Sequence, residues 1–320
     1  MSNLSVMREL GFARGVNLGG WLSQCDYSQE RLDRFITERD LDVIASWGLD
    51  HVRVPVDYNV LEAGPGYSEE GFQRLERAAG WCRVRGLHMV LDPHKTAGFS
   101  FDAGEVEAGF FDSPALQERF YRLWEEIARR FGSRSGDIAF ELLNEVTDQA
   151  FCAAWNRISG ECIRRIRALA PDTLILVGGY HNNSAAAVPD LAAPPDSRVI
   201  YNFHCYDPLP FTHQGAPWVP QLDQSARPSF ASMALPEDYF DRRFAPAIEA
   251  ALARGTGLYC GEYGVIDRAD PADTLAWFRL IHATFERNGI ARCAWSYKRM
   301  DFGLSDPRLD GVRGELVRLL

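Results

Sequence analysis

Short apolar runs alternate with segments of helical periodicity along nearly the whole chain, from residue 12 onward. Runs of this length, bounded by glycine, proline and polar residues, are typical of buried strands, whereas apolar residues three and four positions apart predict amphipathic helices. Eight strand-like runs occur: ARGVNLGGWL, DHVRVPV, GLHMVLDPH, DIAFELLNE, TLILVGGY, SRVIYNFHCY, GLYCGEYGV and IARCAWSYK. Strands that alternate with helices predict a parallel sheet. Eight such units predict an α/β fold, a single (β/α)8 TIM barrel formed by residues 1–320 as one domain with no appended module.

Local signals place the starts of several crossover helices. Thr37 and Asp40 have the spacing of a capping box, with Asp in place of the usual Glu. Ser68 precedes two glutamates and Ser113 precedes a proline, which is the pattern of N-cap residues. A later helical segment contains Pro246, which predicts a kink or a break.

Composition narrows the classes of partner. The chain has 320 residues, of which 46% are apolar, enough for a large core. Its 44 acidic and 34 basic residues give a formal charge of −10, and no basic stripe is present, so nucleic acid is not an expected partner and a neutral or cationic ligand is. No apolar run reaches the roughly 18 residues of a membrane span. We expect a monomer.

The N-terminus and the cysteines bear on the compartment. The opening MSNLSVMRELGFARGVNLGG has no apolar core of signal-peptide length with a small-residue cleavage site after it. The seven cysteines are odd in number and include no CxxC pair, which favours free core thiols over a disulfide framework. The sequence as printed predicts a cytoplasmic protein; a secreted protein would require that a leader had been trimmed.

Two glutamates end strand-like runs that are too apolar to lie on a surface. Glu145 ends DIAFELLNE, beside Asn144, and Glu262 lies near the end of GLYCGEYGV. Cleavage of a glycosidic bond needs two carboxyl groups that converge on one bond, one as proton donor and one as nucleophile or base. Pairing of each strand-end carboxylate with a nearby arginine is the structural alternative, since a buried unpaired charge is costly.

Other strand ends carry groups that such a site would use. They supply a cation and a phenol to keep a carboxylate ionised, amide and imidazole groups for sugar hydroxyls, and an indole as a floor for the ring. The residues are Arg53, His94, Asn144, His204, Tyr206 and Trp295. This ordered set resembles glycoside hydrolase family 5, the cellulase family of clan A, along nearly the whole chain. The opening GVNLGGWL is similar to the exo-β-1,3-glucanase branch of that family.

The resemblance implies a role for each residue. Glu145 would be the general acid/base and Glu262 the nucleophile, with Arg53 and Tyr206 beside Glu262. The remaining residues would bind substrate: Asn144 at the sugar 2-hydroxyl, His94 and His204 orienting the acid and the glycone, and Trp295 as floor of the subsite before the cleaved bond. The family commonly has Pro after the Asn-Glu pair, where this chain has Val146.

Two long connections follow the third and sixth strands, at the catalytic face of such a barrel. They contain aromatic residues whose faces could stack on sugar rings if they are exposed, namely Phe99, Phe101, Phe110, Phe111, Phe211, Trp218 and Phe230. Among these, Trp218 is the predicted substrate contact. At the end of the fifth strand, His181, Asn182 and Asn183 are further candidates for sugar hydroxyls.

No cofactor or metal is expected. Asp92 and His94 form a DxH pair, which some metal-dependent barrel hydrolases use, but no second clustered pair accompanies them. Glu141 lies deeper in its strand and is predicted to be a buried partner of a basic group. The glycines of GVNLGG lack dinucleotide-binding GxGxxG spacing.

These observations predict a retaining β-glycosidase that hydrolyses β-glucans or their oligosaccharides, in the manner of an endo-β-1,4-glucanase, through a covalent glycosyl-enzyme. The predicted separation of the carboxyl groups is about 5 to 5.5 Å. β-Mannanase, exo-β-1,3-glucanase and β-glucosidase activities of the same family stay open, and a barrel that binds carbohydrate without hydrolysing it is the alternative from another class.

Overall fold

The computed structural model describes residues 3–102 and 104–320. Eight parallel strands close into a barrel in which each strand pairs with its neighbours in sequence and the last pairs with the first. The strands are β1 Arg14–Asn17, β2 His51–Asp57, β3 His88–Lys95, β4 Ile138–Glu141, β5 Ile175–Gly178, β6 Val199–Cys205, β7 Leu258–Tyr263 and β8 Ala291–Ala294. The predicted fold class is therefore confirmed.

Helices cover the outside of the barrel. The longer ones are α1 Glu38–Ser46, α2 Glu69–Val84, α3 Pro114–Phe131, α4 Cys152–Leu169, α5 Tyr239–Ala253, α6 Pro271–Asn288 and α7 Arg313–Leu319. Short α-helical segments span Val6–Glu9, Gln29–Arg34, Tyr58–Leu61 and Leu209–Thr212, and 3-10 turns span Asn3–Ser5, Gly132–Arg134, Gln149–Phe151, Ala185–Asp190, Ala231–Met233 and Pro307–Leu309. Tyr180–Asn183 forms a turn with positive φ angles. A two-stranded hairpin, Glu62–Ala63 with Gly66–Tyr67, precedes α2. The connection from β5 to β6 therefore consists of short turns in place of a long helix.

The predicted helix starts are observed, and of the two outcomes predicted at Pro246, a kink or a break, the break does not occur. The Asp40 carboxylate accepts the Thr37 N–H at 2.8 Å, and the Ser68 and Ser113 hydroxyls accept N–H groups of the first turns of α2 and α3. Helix α5 runs through Pro246 without interruption. Burial of one apolar face of α5 against the barrel compensates for the single hydrogen bond that proline removes.

The regular strands are shorter than the apolar runs that predict them. β4 ends at Glu141, so Asn144 and Glu145 follow in an extended segment beyond it. That segment still lies in the barrel wall, because the Leu142 N–H donates to the Leu176 carbonyl at 3.1 Å and the Asn144 N–H donates to the Pro93 carbonyl at 3.2 Å. The pairing carries Glu145 to the C-terminal mouth of the barrel.

The sequence also predicts free cysteine thiols and no membrane-spanning segment. All seven cysteines belong to the described part of the chain and are free thiols, five of them buried. Among the described residues, no helix has the length and apolarity that crossing a membrane demands.

Candidate active site

Glu145 and Glu262 meet at the C-terminal mouth of the barrel. One carboxylate oxygen of each and a ring nitrogen of His204 all lie within 4.8 Å of one another. Both glutamates are largely buried, with 9% and 5% of their surface exposed. The structure therefore brings together two carboxyl groups that are 117 positions apart in sequence.

The Glu262 carboxylate receives two hydrogen bonds from strong donors. Arg53 donates from Nη1 to Oε1 at 2.7 Å, and the Tyr206 hydroxyl donates to Oε2 at 2.8 Å. Burial, followed by the negative charge of Glu262, raises the pKa of Tyr206 well above its ordinary value, so this phenol stays a donor. Both donors therefore point at one carboxylate, and the hydrogen bond from the guanidinium is charge-assisted.

Arg53 is fully buried and connects several strands inside the barrel. Its guanidinium donates to both oxygens of Glu141 at 2.7 and 2.8 Å and lies 2.8 Å from Asp92. It also donates to the Asn144 Oδ1 at 2.9 Å. Glu141 is thus the buried partner of a basic group, as the sequence predicts. Because Arg53 uses the carbonyl oxygen of Asn144, the amide nitrogen is what Asn144 can offer to a ligand.

Two buried asparagines of this network were missed by sequence reasoning. The Asn17 Oδ1 accepts from Arg53 at 2.9 Å, and the Asn17 amide donates to the Gly261 carbonyl at 2.9 Å. Asn202 donates to Glu141 at 2.8 Å and accepts the Gly261 N–H at 2.9 Å. A polar amide in the middle of an apolar strand run is the signal that points to both, since a buried amide requires partners.

Glu145 has a different set of partners. His204 Nδ1 lies 2.8 Å from Oε1, and the Asn182 amide donates to Oε2 at 2.7 Å. Burial raises the pKa of Glu145 to about 7, against the opposing effects of the Asn182 hydrogen bond and the charges of His94 and Arg53. Burial lowers the pKa of His204 to about 4, so its ring is neutral near pH 7. Glu145 can therefore carry a proton at neutral pH, as a general acid must.

His94 and Trp295 form one wall of the mouth. His94 Nδ1 lies 2.6 Å from the Asp92 carboxylate, and its ring stacks on the Trp295 ring with centroids 5.8 Å apart and planes 1° apart. Burial raises the pKa of Asp92 to about 7, an effect that Arg53 opposes. Asp92 thus contacts both Arg53 and His94 inside the barrel.

The loop aromatics divide into packing residues and rim residues. Phe99, Phe110, Phe111 and Phe211 are buried and attach the loops to the barrel. Phe101 packs edge-on against the His94 ring, 4.9 Å between centroids. Trp218 is 50% exposed and contacts His213, which in turn contacts Tyr206, so it lies two rings away from the carboxylates.

Of the residues predicted at the end of the fifth strand, Asn182 reaches Glu145 and Asn183 is buried beside His204. His181 is exposed and packs against the Tyr180 ring.

Within residues 3–102 and 104–320, one group of acidic and histidine side chains is close enough to share a cation: Glu145, His204 and Glu262. Its carboxylate oxygens already accept hydrogen bonds from Arg53, Tyr206 and Asn182. A cation here would lie close to the Arg53 guanidinium, which is an unfavourable arrangement of charge. The donor set is better suited to proton and glycosyl transfer than to metal coordination.

Comparison with known proteins gives a consistent result. A family model described as Cellulase (glycosyl hydrolase family 5) matches residues 14–301. The chain is 54% identical over 288 residues to Cellodextrinase A of Ruminococcus flavefaciens, and the alignment covers 90% of this chain and 86% of the relative. It is 34% identical over 339 residues to Endoglucanase C of Acetivibrio thermocellus, and this alignment covers 97% of this chain and 98% of the relative. The solved structure of endoglucanase Cel5A from Thermotoga maritima superposes with a TM-score of 0.83 over 100% of both chains at 23% identity, which shows a shared fold.

Proposed function

Because the chain belongs to glycosyl hydrolase family 5, the cellulase family, and is an O-glycoside hydrolase, we propose that it cleaves β-1,4-linked glucose oligosaccharides with retention at the anomeric carbon. The observation that carries the mechanism is the contrast between the two carboxyl groups. They lie within 4.8 Å of each other, yet Glu262 faces a guanidinium and a phenol, whereas Glu145 faces an amide and a neutral imidazole.

In the first step, the Glu262 carboxylate attacks the anomeric carbon and the bond from that carbon to the leaving oxygen breaks. Glu145 gives its proton to the leaving oxygen at the same time. The product is a glycosyl ester on Glu262, with Glu145 left as a carboxylate. A short separation of the carboxyl groups favours this route over inversion, which needs about 6.5 to 9.5 Å to admit a water.

In the second step, Glu145 removes a proton from a water that attacks the same carbon, and the ester bond to Glu262 breaks. Arg53 and Tyr206 stabilise the departing carboxylate through the hydrogen bonds that they already make to it. Asn144 is proposed to bond the sugar 2-hydroxyl and Trp295 to form the floor beneath the glycone. His94 and His204 orient the glycone and the acid.

The substrate class follows from the relatives. One is named a cellodextrinase and the other an endoglucanase, and each aligns with nine-tenths or more of this chain. Soluble cellodextrins are therefore the proposed substrates, with Trp218 as an outer stacking surface at the exposed rim. Hydrolysis of a panel of cellotriose, cellotetraose, laminaritriose and mannotriose tests this choice. Faster cleavage of either of the last two would overturn it.

The catalytic roles are tested by chemical rescue and by stereochemistry. Glu145→Ala should lose activity on cellotriose yet hydrolyse 2,4-dinitrophenyl β-cellobioside in the presence of azide, because the activated phenol leaves without an acid and azide needs no base. The product should be β-cellobiosyl azide, as read by proton NMR. Absence of rescue, or an initial α-anomer from the wild-type enzyme, would contradict the roles. Sugar binding without any turnover would instead indicate a non-hydrolytic barrel.

A further inference from the structure

The segment that follows β5 has an unusual backbone. His181, Asn182 and Asn183 have φ values of 49°, 55° and 54°, so three consecutive residues with side chains lie in the left-handed helical region. This conformation costs about 1 to 2 kcal/mol per residue for most L-amino acids, and Asn and His are among the types that tolerate it best. We call residues 181–183 the left-handed turn. Strain of this kind persists where surrounding contacts enforce it, and it clusters at functional sites.

The left-handed turn contacts the Glu145 segment through both the main chain and the side chain of Asn182. The Asn182 backbone N–H donates to the carbonyl of Val146, the residue that follows Glu145, at 3.0 Å. The Asn182 side chain then donates to Oε2 of Glu145 at 2.7 Å. Main-chain and side-chain contacts of one residue therefore fix both the position of the Glu145 segment and the orientation of its carboxyl group.

Asn183, the next residue of the turn, contacts His204, which in turn contacts Oε1 of Glu145. The buried Asn183 amide nitrogen lies 3.4 Å from Nε2 of His204. The other ring nitrogen of His204, Nδ1, lies 2.8 Å from Oε1 of Glu145. The turn thus holds one oxygen of Glu145 directly and the other through His204.

We propose that Asn182 is a positioning residue for the acid/base Glu145, and that the left-handed turn exists to present it. The inference rests on the proposed function, since it assigns a role relative to a proton-transfer group. In the substrate complex, Asn182 fixes the rotation of the carboxyl group, so that the proton lies on the side of the leaving oxygen. By donating to the charged form, Asn182 also limits how far burial raises the pKa of Glu145.

Asn182→Gly is the informative variant, because glycine accepts the positive φ without strain and only the amide is lost. His181→Gly is the matched control, since it relaxes the neighbouring position while His181 packs on Tyr180. For Asn182→Gly, kcat/KM on cellotriose should fall about 10- to 100-fold, which corresponds to loss of a hydrogen bond to a charged group. On 2,4-dinitrophenyl β-cellobioside, whose departure needs no acid, kcat/KM should stay near that of the wild type. His181→Gly should match the wild type on both substrates.

The pH profile supplies a second readout. The charged and titratable groups that face Glu145 are Arg53 from β2, Asp92 and His94 from β3, His204 and Tyr206 from β6 and its loop, and Glu262 from β7. None of these changes in the variants. The alkaline limb of kcat/KM should therefore move upward in Asn182→Gly, and further upward in Asn182→Asp, where a second carboxylate faces Oε2.

Equal losses on both substrates with an unmoved alkaline limb would reduce Asn182 to a structural residue and overturn the proposal. So would an Asn182→Gly enzyme that is indistinguishable from His181→Gly. Failure of azide rescue in Glu145→Ala would instead refute the proposed function itself, which separates the two failures. The melting temperature of each variant shows whether a loss of activity reflects a loss of fold.

Discussion

The two halves of the barrel interior are formed by the same strands, but one half is apolar and the other contains charged groups. Toward the N-terminal ends the lumen is filled by an apolar plug, consisting of Met7, Phe12, Val90, Ala139, Leu174, Leu176, Ile200, Tyr259, Ala291 and Cys293. Toward the C-terminal ends the lumen contains one guanidinium among three carboxylates, those of Asp92, Glu141 and Glu262. The bottom half stabilises the fold through burial of apolar surface. The top half keeps charged groups out of water, which is unfavourable for folding and necessary for catalysis.

The change from one half to the other happens within single strands. Along β3, alternate residues run from Val90 through Asp92 to His94, and along β6 they run from Ile200 to His204 by way of a buried asparagine. Side chains two apart lie on the same face of a strand, so each series lines the lumen from bottom to mouth. Substitutions should therefore separate stability from activity according to depth in the barrel.

The largest effect is expected at the mouth. Glu262→Ala should lower kcat on cellotriose by about 10^4- to 10^6-fold, since the nucleophile is absent. Arg53 keeps Glu141 and Asp92 as partners, so the protein should still fold. Steady-state kinetics and far-UV circular dichroism measure the two properties. Activity within 100-fold of the wild type would remove Glu262 from the role of nucleophile.

A substitution in the apolar plug should have the opposite result, a loss of stability without a loss of activity. Phe12 is 1% exposed and packs on the His51 and His88 rings. Phe12→Ala should lower the free energy of unfolding by about 3 to 5 kcal/mol. Urea denaturation measures this loss, while kcat at a temperature well below the transition should stay close to that of the wild type. A large loss of kcat in a folded variant would show that the two halves are not separable.

The pH dependence distinguishes the two carboxyl groups within the mouth. The acid must be protonated in the first step, and the pKa of Glu145 is raised by burial to about 7. Activity as kcat/KM should therefore fall as pH rises through about 7, by roughly tenfold per unit above it. Because burial favours the protonated form, the fold itself should also lose stability as pH rises from the ordinary carboxyl range through about 7. The residual kcat/KM of Glu145→Ala on cellotriose should lack this alkaline limb, and its persistence would assign the limb to another group.

A smaller effect is expected where the mouth meets the left-handed turn. A Cβ on Gly178, the last residue of β5, would lie 2.2 Å from Oδ1 of Asn183. Gly178→Ala should displace Asn183 from His204, with a loss of about 1 to 3 kcal/mol in stability and a measurable fall in kcat. Thermal melts and kinetics on cellotriose record both.

Gly160 provides the matched control for this substitution. It is exposed in α4, and an added Cβ meets no atom of the described residues within 4 Å. Gly160→Ala should raise stability by up to about 1 kcal/mol through helix propensity and leave kcat unchanged. If the two alanine variants behave alike, close packing at Gly178 is not what holds the turn.

Much of the fold was available from the sequence because it depends on local pattern. The eight runs and the helix caps at Thr37, Ser68 and Ser113 are recorded in adjacent residues, and the structure places strands and helices accordingly. The break that Pro246 could have caused does not occur, because contacts with the barrel, in addition to the local rule for proline, decide whether the helix continues. The sequence pattern also favoured strands that reach Asn144, although regular pairing of β4 ends at Glu141.

Only part of the candidate active site could be predicted from the sequence. Residues at the ends of predicted strands, including Arg53, Glu145 and Glu262, are found together because closure of a parallel barrel brings all such ends to one mouth. Asn182 is the instructive case, since the sequence placed it near the mouth as a candidate for sugar hydroxyls. Its contact with Glu145 depends on three positive φ angles, which alternation of apolar and polar residues does not encode.

The sequence by itself determined that polar residues follow apolar ones toward the C-terminal ends of the strands, because that order is the order of residues along the chain. The tertiary structure alone decided the distances across the mouth, and with them which donors face Glu145 and which face Glu262. Those distances depend on strand register, barrel closure and the geometry of the left-handed turn, each of which is set by contacts between residues far apart in the chain.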